Sequence, residues 1–294
     1  MKSNRTPIRH FVAVLALAAL LAPAVWAQNT VDKVKTRRML VVGYLDNASP
    51  FSFTNGKTAA GYSIDLCAPI IERIAGASGA KDLRVVYQAV ELGRAVNLLR
   101  NGAIDLMCAN LTDTPARRTL VAFSPPIFYA AVRVLVRSSD KLDSVQQLAG
   151  KNLVQLGGST ARGALDAYAA ANGLKWQIAN VLEHDAAISQ LQLGQADGYA
   201  RDGILLSNAM LALKDPAEFR LLPERLSSEP IAIAYRRADP ALQKLVDLSI
   251  VEAMRSGRFA EVYEKWFTKP IPPANKALDL PMSRELQGLL AAAR

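Results

Sequence analysis

The chain has 294 residues, with 35 Lys and Arg against 26 Asp and Glu and a formal charge of +9. Hydrophobic residues make up 51% and charged residues 21%, a globular composition that excludes disorder, a collagen repeat and a coiled coil. Two cysteines and two histidines are too few for a disulfide scaffold, a zinc cluster or a multi-histidine centre, so neither a metal nor a cofactor is expected.

The first 27 residues read as a signal peptide. Lys2, Arg5 and Arg9 form a basic start, residues 11–22 an unbroken apolar run, and Val25-Trp26-Ala27 a small-residue cleavage site. The alternative, a membrane anchor, needs about 20 apolar residues. No cysteine lies near the cut to carry a lipid, so a free exported protein, most simply periplasmic, is expected. The basic cluster at Lys35-Thr36-Arg37-Arg38 stands alone without interleaved aromatics, which gives no case for nucleic acid.

Strand and helix then alternate. Residues 40–45 read as a buried strand and 62–75 as a helix with Ile64, Cys67, Ile70, Ile71 and Ile74 at helical spacing. Residues 83–89 read as a strand, 96–100 as a helix stopped by Asn101-Gly102, and 104–109 as a strand. A second set follows: a strand at 132–136, a short helix at 145–149, a strand at 152–156, the turn Gly157-Gly158-Ser159-Thr160 and a helix at 161–171. Helices at 186–193 and 204–213, a strand at 231–235 and helices at 240–254 and 259–267 complete it, before Pro270, Pro272 and Pro273 break the pattern. Alternation of this kind predicts an α/β fold with mostly parallel sheets. Two similar sets without a long linker predict two lobes joined by extended crossings near 129–132 and 228–231. Lobe 1 would then be discontinuous (28–130 and 231–294), lobe 2 would be 131–230, and a ligand would sit between them.

Ser159-Thr160 opens a helix after two glycines and is either an anion site or a plain N-cap. Thr112 and Arg117 follow Asn110 at a strand end, where a hydroxyl and a guanidinium can share one carboxylate; Arg118 reads as solvated. Asp202 could take an ammonium, although on spacing alone it reads better as an N-cap for the helix at 204. His184, between Glu183 and Asp185, reads as a surface or capping residue. It is the only histidine beyond the signal peptide, and no Gly-x-Ser-x-Gly elbow is present, so a nucleophilic triad is excluded. Cys67 and Cys108 are either a disulfide or two small buried thiols; bonded, they would close a loop of about 40 residues and contribute about 3–4 kcal/mol.

The chain resembles the periplasmic solute-binding proteins of polar amino-acid ABC transporters. The resemblance rests on Gly61-Tyr62-Ser63-Ile64-Asp65, Asn110-Leu111-Thr112 with Arg117, Val121-Ala122-Phe123-Ser124, Gly158-Ser159-Thr160 and Asp202. Lys265-Trp266-Phe267, the proline-rich tail and His184 are most similar to the glutamate/aspartate-binding branch. It implies a two-lobed, type II periplasmic-binding fold that works as a monomer and delivers its ligand to a membrane permease. It also implies that Arg117, Thr112, Ser159 and Thr160 hold an α-carboxylate, that Asp202 holds the α-amino group, and that Phe51 or Phe53 walls the cleft. Leu45 stands where that branch has an arginine for the side-chain carboxylate, and a serine of the Asn110 loop is also replaced. Arg94 and Arg201 are the candidates to supply the cation for glutamate or aspartate; otherwise an amide ligand fits. The rival reading is an enzyme on the same fold, resembling cyclohexadienyl dehydratase, whose general acid would be Asp202 or Glu91. A sensor module is a weaker third reading, since nothing after the tail could span a membrane.

Overall fold

The computed structural model describes residues 29–293, and the expected signal peptide lies outside the described residues. The basic cluster falls on and just after a short helix absent from the sequence reading, α1 (Thr30–Arg37), which Asn29 caps by accepting from the Asp32 N–H. Next come β1 (Met39–Tyr44), a small antiparallel meander of β2 (Asn47–Ala48), β3 (Ser52–Asn55) and β4 (Thr58–Ala60), and helix α2 (Tyr62–Ser78). Gly61 sets the entry angle of α2 at φ 136°, and a Cβ there would meet the Phe51 carbonyl oxygen at 2.2 Å. Strand β5 (Arg84–Ala89), helix α3 (Leu92–Arg100), β6 (Leu106–Met107), α4 (Pro115–Arg118) and β7 (Val121–Phe123) follow. β1 is buried from Leu40 to Tyr44 because parallel partners flank it on both sides, the burial expected of a continuous apolar run.

The chain then crosses on β8 (Phe128–Ala130) into a second sheet. This is built from β9 (Val132–Arg137), β10 (Asn152–Leu156), helix α5 (Ala161–Asn172), β11 (Gln177–Val181), helix α6 (His184–Gln192), β12 (Gly198–Asp202), helix α7 (Gly203–Ala212) and β13 (Phe219–Leu221). It returns on β14 (Glu229–Ile231), adds β15 (Ala234–Arg236) to the first sheet, and ends in α8 (Pro240–Ser256), α9 (Arg258–Phe267) and α10 (Arg284–Ala293). Sheet orders are β5-β1-β6-β15-β7 and β11-β10-β12-β9-β13, with β9, β13 and β15 antiparallel to their neighbours. The two crossings pair antiparallel, Ala130 opposite Glu229.

Several expected elements shift. The expected strand at 231–235 is split, Ile231 closing β14 and Ala234 opening β15. The expected strand at 104–109 shortens to β6, and the expected helix at 145–149 is a 3-10 turn, Val145–Leu148. Cys67 on α2 and Cys108 just past β6 form a disulfide with Cα atoms 6.3 Å apart. Phe51 does not wall a cleft. It is fully buried in an aromatic core, edge-on to Tyr62, Phe128 and Phe267, because the returning α9 brings its apolar face over the meander. Among the described residues no helix is long and apolar enough to cross a membrane.

Candidate functional site between the lobes

Both sheets send their functional residues from strand ends toward the same gap. On the first side, the loop after β6 carries Asn110 and Thr112, and Thr114 caps α4 by accepting from the Arg117 N–H at 3.1 Å. That cap fixes Arg117, whose guanidinium donates to the Thr112 carbonyl (2.8 Å) and, across the gap, to the Gly158 carbonyl (2.8 Å). Burial lowers its pKa, while Glu229 and Asp202 work against that shift. Arg118 is exposed as expected, but it is not idle: its Nε donates to the buried Asp113 at 2.6 Å.

On the second side, the turn after β10 presents Ser159 and Thr160. Ser159 donates to Gln155 Oε1 at 2.7 Å and accepts from the Ala161 N–H at 3.3 Å. Thr160 occupies the N-cap position of α5 without a side-chain capping bond; its hydroxyl donates instead to Glu229 Oε2 at 2.5 Å. Thr112 Oγ1 donates to the same oxygen at 3.1 Å. Gly158, at φ +83°, packs so closely on α3 that a Cβ there would stand 2.6 Å from the Gly93 Cα.

The N-cap reading of Asp202 is corrected. It precedes α7 but makes no capping bond, because its carboxylate turns across the gap to accept from Asn110 Nδ2 at 3.0 Å. Burial raises this carboxyl to about 6; the Asn110 hydrogen bond lowers it, Glu229 raises it, and Arg201 and Arg117 lower it. Asn110 Oδ1 is buried with no partner, an acceptor that a donor would satisfy.

His184 is also corrected, being neither surface nor cap. It is buried at the start of α6 with Nδ1 3.1 Å from the Tyr199 hydroxyl. Burial, helped by Arg201, lowers its pKa to about 3, so the ring is neutral at pH 7. Arg201 is only 4% exposed, and its charge works against the burial that raises the Tyr199 hydroxyl.

The space enclosed by Asn110, Thr112, Arg117, Thr160, Arg201 and Asp202 is about 20 Å³, room for about one water. A cavity of about 470 Å³ opens beside it, lined by Arg201, His184, Phe53, Leu205 and Ser49, whose hydroxyl is buried and unpartnered. A cavity of about 320 Å³ lined by Leu45, Glu91, Arg94 and Glu183 adjoins it, the two sharing Asp46 and Asn47. The central group is thus Asn110, Thr112, Arg117, Ser159, Thr160 and Asp202; Phe53 and His184 line the 470 Å³ cavity, and Leu45 and the exposed Arg94 the 320 Å³ one. The sequence reading missed Glu229. Its one signal was Ser228-Glu229-Pro230, a carboxylate before proline inside a segment already read as a crossing.

A guanidinium with two hydroxyls suits a carboxylate, and a buried carboxylate beside an orphan acceptor suits an ammonium. Two α/β lobes that meet through such groups, joined by paired strands, are the architecture of a cleft-type binding protein. The chain belongs to the bacterial extracellular solute-binding proteins, family 3, matched over residues 40–269. It is 31% identical over 281 residues to the L-glutamate/L-aspartate-binding protein of Pseudomonas aeruginosa, covering 94% of this chain and 93% of the relative. To the glutamate/aspartate import solute-binding protein of Salmonella typhimurium it is 30% identical over 281 residues, covering 95% and 92%. Of solved structures, the cysteine-binding protein of Campylobacter jejuni superposes with a TM-score of 0.71 at 25% identity, over 86% of this chain and 97% of that one.

Proposed function

We propose that this protein is the periplasmic, monomeric binding component of an ABC importer, which closes on glutamate, aspartate or one of their amides and delivers it to a membrane permease. Residues 28–130 with 231–294 would move as one lobe and 131–230 as the other, about the paired crossings β8 and β14. The observation that carries this reading is the meeting of Arg117 and Thr112 from one side with Thr160 and Asp202 from the other around a single space. Arg117, Thr112 and Thr160 hold the α-carboxylate, with Ser159 bracing the turn. Asp202 and Asn110 Oδ1 take the α-ammonium.

Arg201, rather than Arg94, supplies the cation that Leu45 does not. Arg201 is buried and borders both the central space and the 470 Å³ cavity, whereas Arg94 is exposed and lines neither of them. Neutral His184 and Phe53 line that cavity around the ligand side chain. A calorimetric screen of the common amino acids tests the reading, followed by glutamate against glutamine on two variants. Loss of a buried charge partner costs about 2–5 kcal/mol, so Arg201→Ala loses glutamate by about 30-fold or more relative to glutamine. Arg94→Ala leaves the ratio unchanged. No binding of any amino acid by the parent would refute the proposal.

One observation favours the enzyme reading: a carboxyl raised to about 6 is in the range of a general acid. A solute ammonium accounts for the same carboxyl without chemistry, and Glu91, the other candidate, is exposed and does not line the central space. Turnover of prephenate or arogenate by the purified protein would favour the enzyme.

A further inference from the structure

Glu229 stands on the return crossing, opposite Ala130, at the first position of β14. Pro230 restricts its backbone to extended conformations, which directs the side chain consistently. One carboxylate oxygen, Oε2, accepts from Thr112 Oγ1 at 3.1 Å and from Thr160 Oγ1 at 2.5 Å. These two hydroxyls come from opposite lobes. Each hydroxyl carries a single proton, so a proton given to Glu229 is not available to a second carboxylate. The same charge acts on Arg117 and on Asp202, raising the carboxyl of the latter. In position and partners the Glu229 carboxylate behaves as the α-carboxylate of a bound amino acid would.

We propose that Glu229 is an internal competitor for the carboxylate subsite: it ties Thr112 to Thr160, and a solute enters only by displacing it with a carboxylate of its own. This rests on the reading of Arg117, Thr112 and Thr160 as that subsite. Thr112 and Thr160, whose hydroxyls Glu229 holds, line a space of about 20 Å³ with room for about one water, so a solute carboxylate reaches those hydroxyls only when Glu229 releases them. Glu229 is only half-buried and has solvent to turn into. A solute with no carboxylate at this point has nothing to replace the two hydroxyl bonds, which makes Glu229 a selectivity filter as well as a tie between lobes.

The test uses Glu229→Gln, which keeps shape and removes charge, and Thr160→Val, which removes one donor. Small-angle scattering of the two variants and the parent without solute reads the tie; calorimetry with glutamate reads the competition. Thr160→Val should have a larger radius of gyration than the parent, and Glu229→Gln, whose amide oxygen still accepts from both hydroxyls but without the charge, a smaller increase. Glu229→Gln should bind glutamate about tenfold tighter, about 1.4 kcal/mol, whereas Thr160→Val, having lost a ligand donor, should bind more weakly. Equal radii for parent and variants overturn the tie. Unchanged affinity in Glu229→Gln overturns the competition, and weaker affinity shows instead that Glu229 holds the solute ammonium. If no form binds any amino acid, the solute reading fails and the competition falls with it, while the scattering still decides whether Glu229 ties the lobes.

Discussion

Solute affinity should depend on pH through Asp202. Its carboxyl is raised from 3.8 to about 6 because it is buried, with Asn110, Glu229, Arg201 and Arg117 as the groups that face it. A solute ammonium requires the ionised form. Affinity is therefore nearly full above about pH 7 and is lost as the pH falls through about 6, approaching tenfold per unit. From about pH 7 to about pH 5 the ionised fraction drops from about nine-tenths to about one-tenth, so Kd rises about tenfold, about 1.4 kcal/mol. The solute contributes little to this window: an α-carboxyl titrates near about 3.5, an α-amino group above about 7.7, and a glutamate side chain near about 4.3, about one-sixth protonated at pH 5. His184, lowered to about 3, titrates below it. Without solute the sign reverses for stability. A carboxyl raised in the folded state contributes stability that is present below its unfolded value of 3.8 and lost as the pH rises through about 6. Calorimetry in two buffers of different ionisation heat measures both Kd and proton release, expected at about nine-tenths of a proton near pH 5. Asp202→Asn should weaken binding and flatten the dependence. A Kd that stays constant from pH 7 to pH 5, with no proton released, would refute the argument.

Three further outcomes are expected. Gly158→Ala places a Cβ 2.6 Å from the Gly93 Cα, whereas Gly93→Ala meets only the Gly157 oxygen at 3.8 Å. The first should prevent full approach of the lobes and weaken binding, seen as a larger radius at saturating solute; the second should be near neutral, and equal effects would contradict the packing. Arg117→Ala should weaken binding by about 30-fold or more. Arg118→Ala leaves the buried Asp113 without its partner and should lower the denaturant midpoint with a much smaller effect on Kd; the reverse pattern would exchange their roles. Replacing Cys67 and Cys108 together with serine should cost about 3–4 kcal/mol in denaturant unfolding, and a loss below about 1 kcal/mol would mean that the closed loop contributes little.

Much of the architecture was written locally. The strand at 152–156 appears where its apolar run ends against the Gly157-Gly158 turn, and α8 starts at Pro240 after the cap of Asp239. Such signals involve residues a few positions apart, so they survive without the fold. The site residues on the loop after β6 and on the turn after β10 were legible for the same reason: helix starts and strand ends declare themselves. What they face was not. Ile231, Ala232, Ile233 and Ala234 are all fully buried, and an unbroken apolar run cannot say which of two ladders each residue joins. β8 claims the first of them and β6 with β7 the last. Spacing made Asp202 a cap, but its partner is Asn110, 92 residues away. Glu229 drew no attention because its meaning comes from Thr112 and Thr160, 117 and 69 residues distant. Propensity and periodicity are properties of neighbours along the chain, whereas a binding site is made by groups that only the crossing of two lobes brings within hydrogen-bond reach.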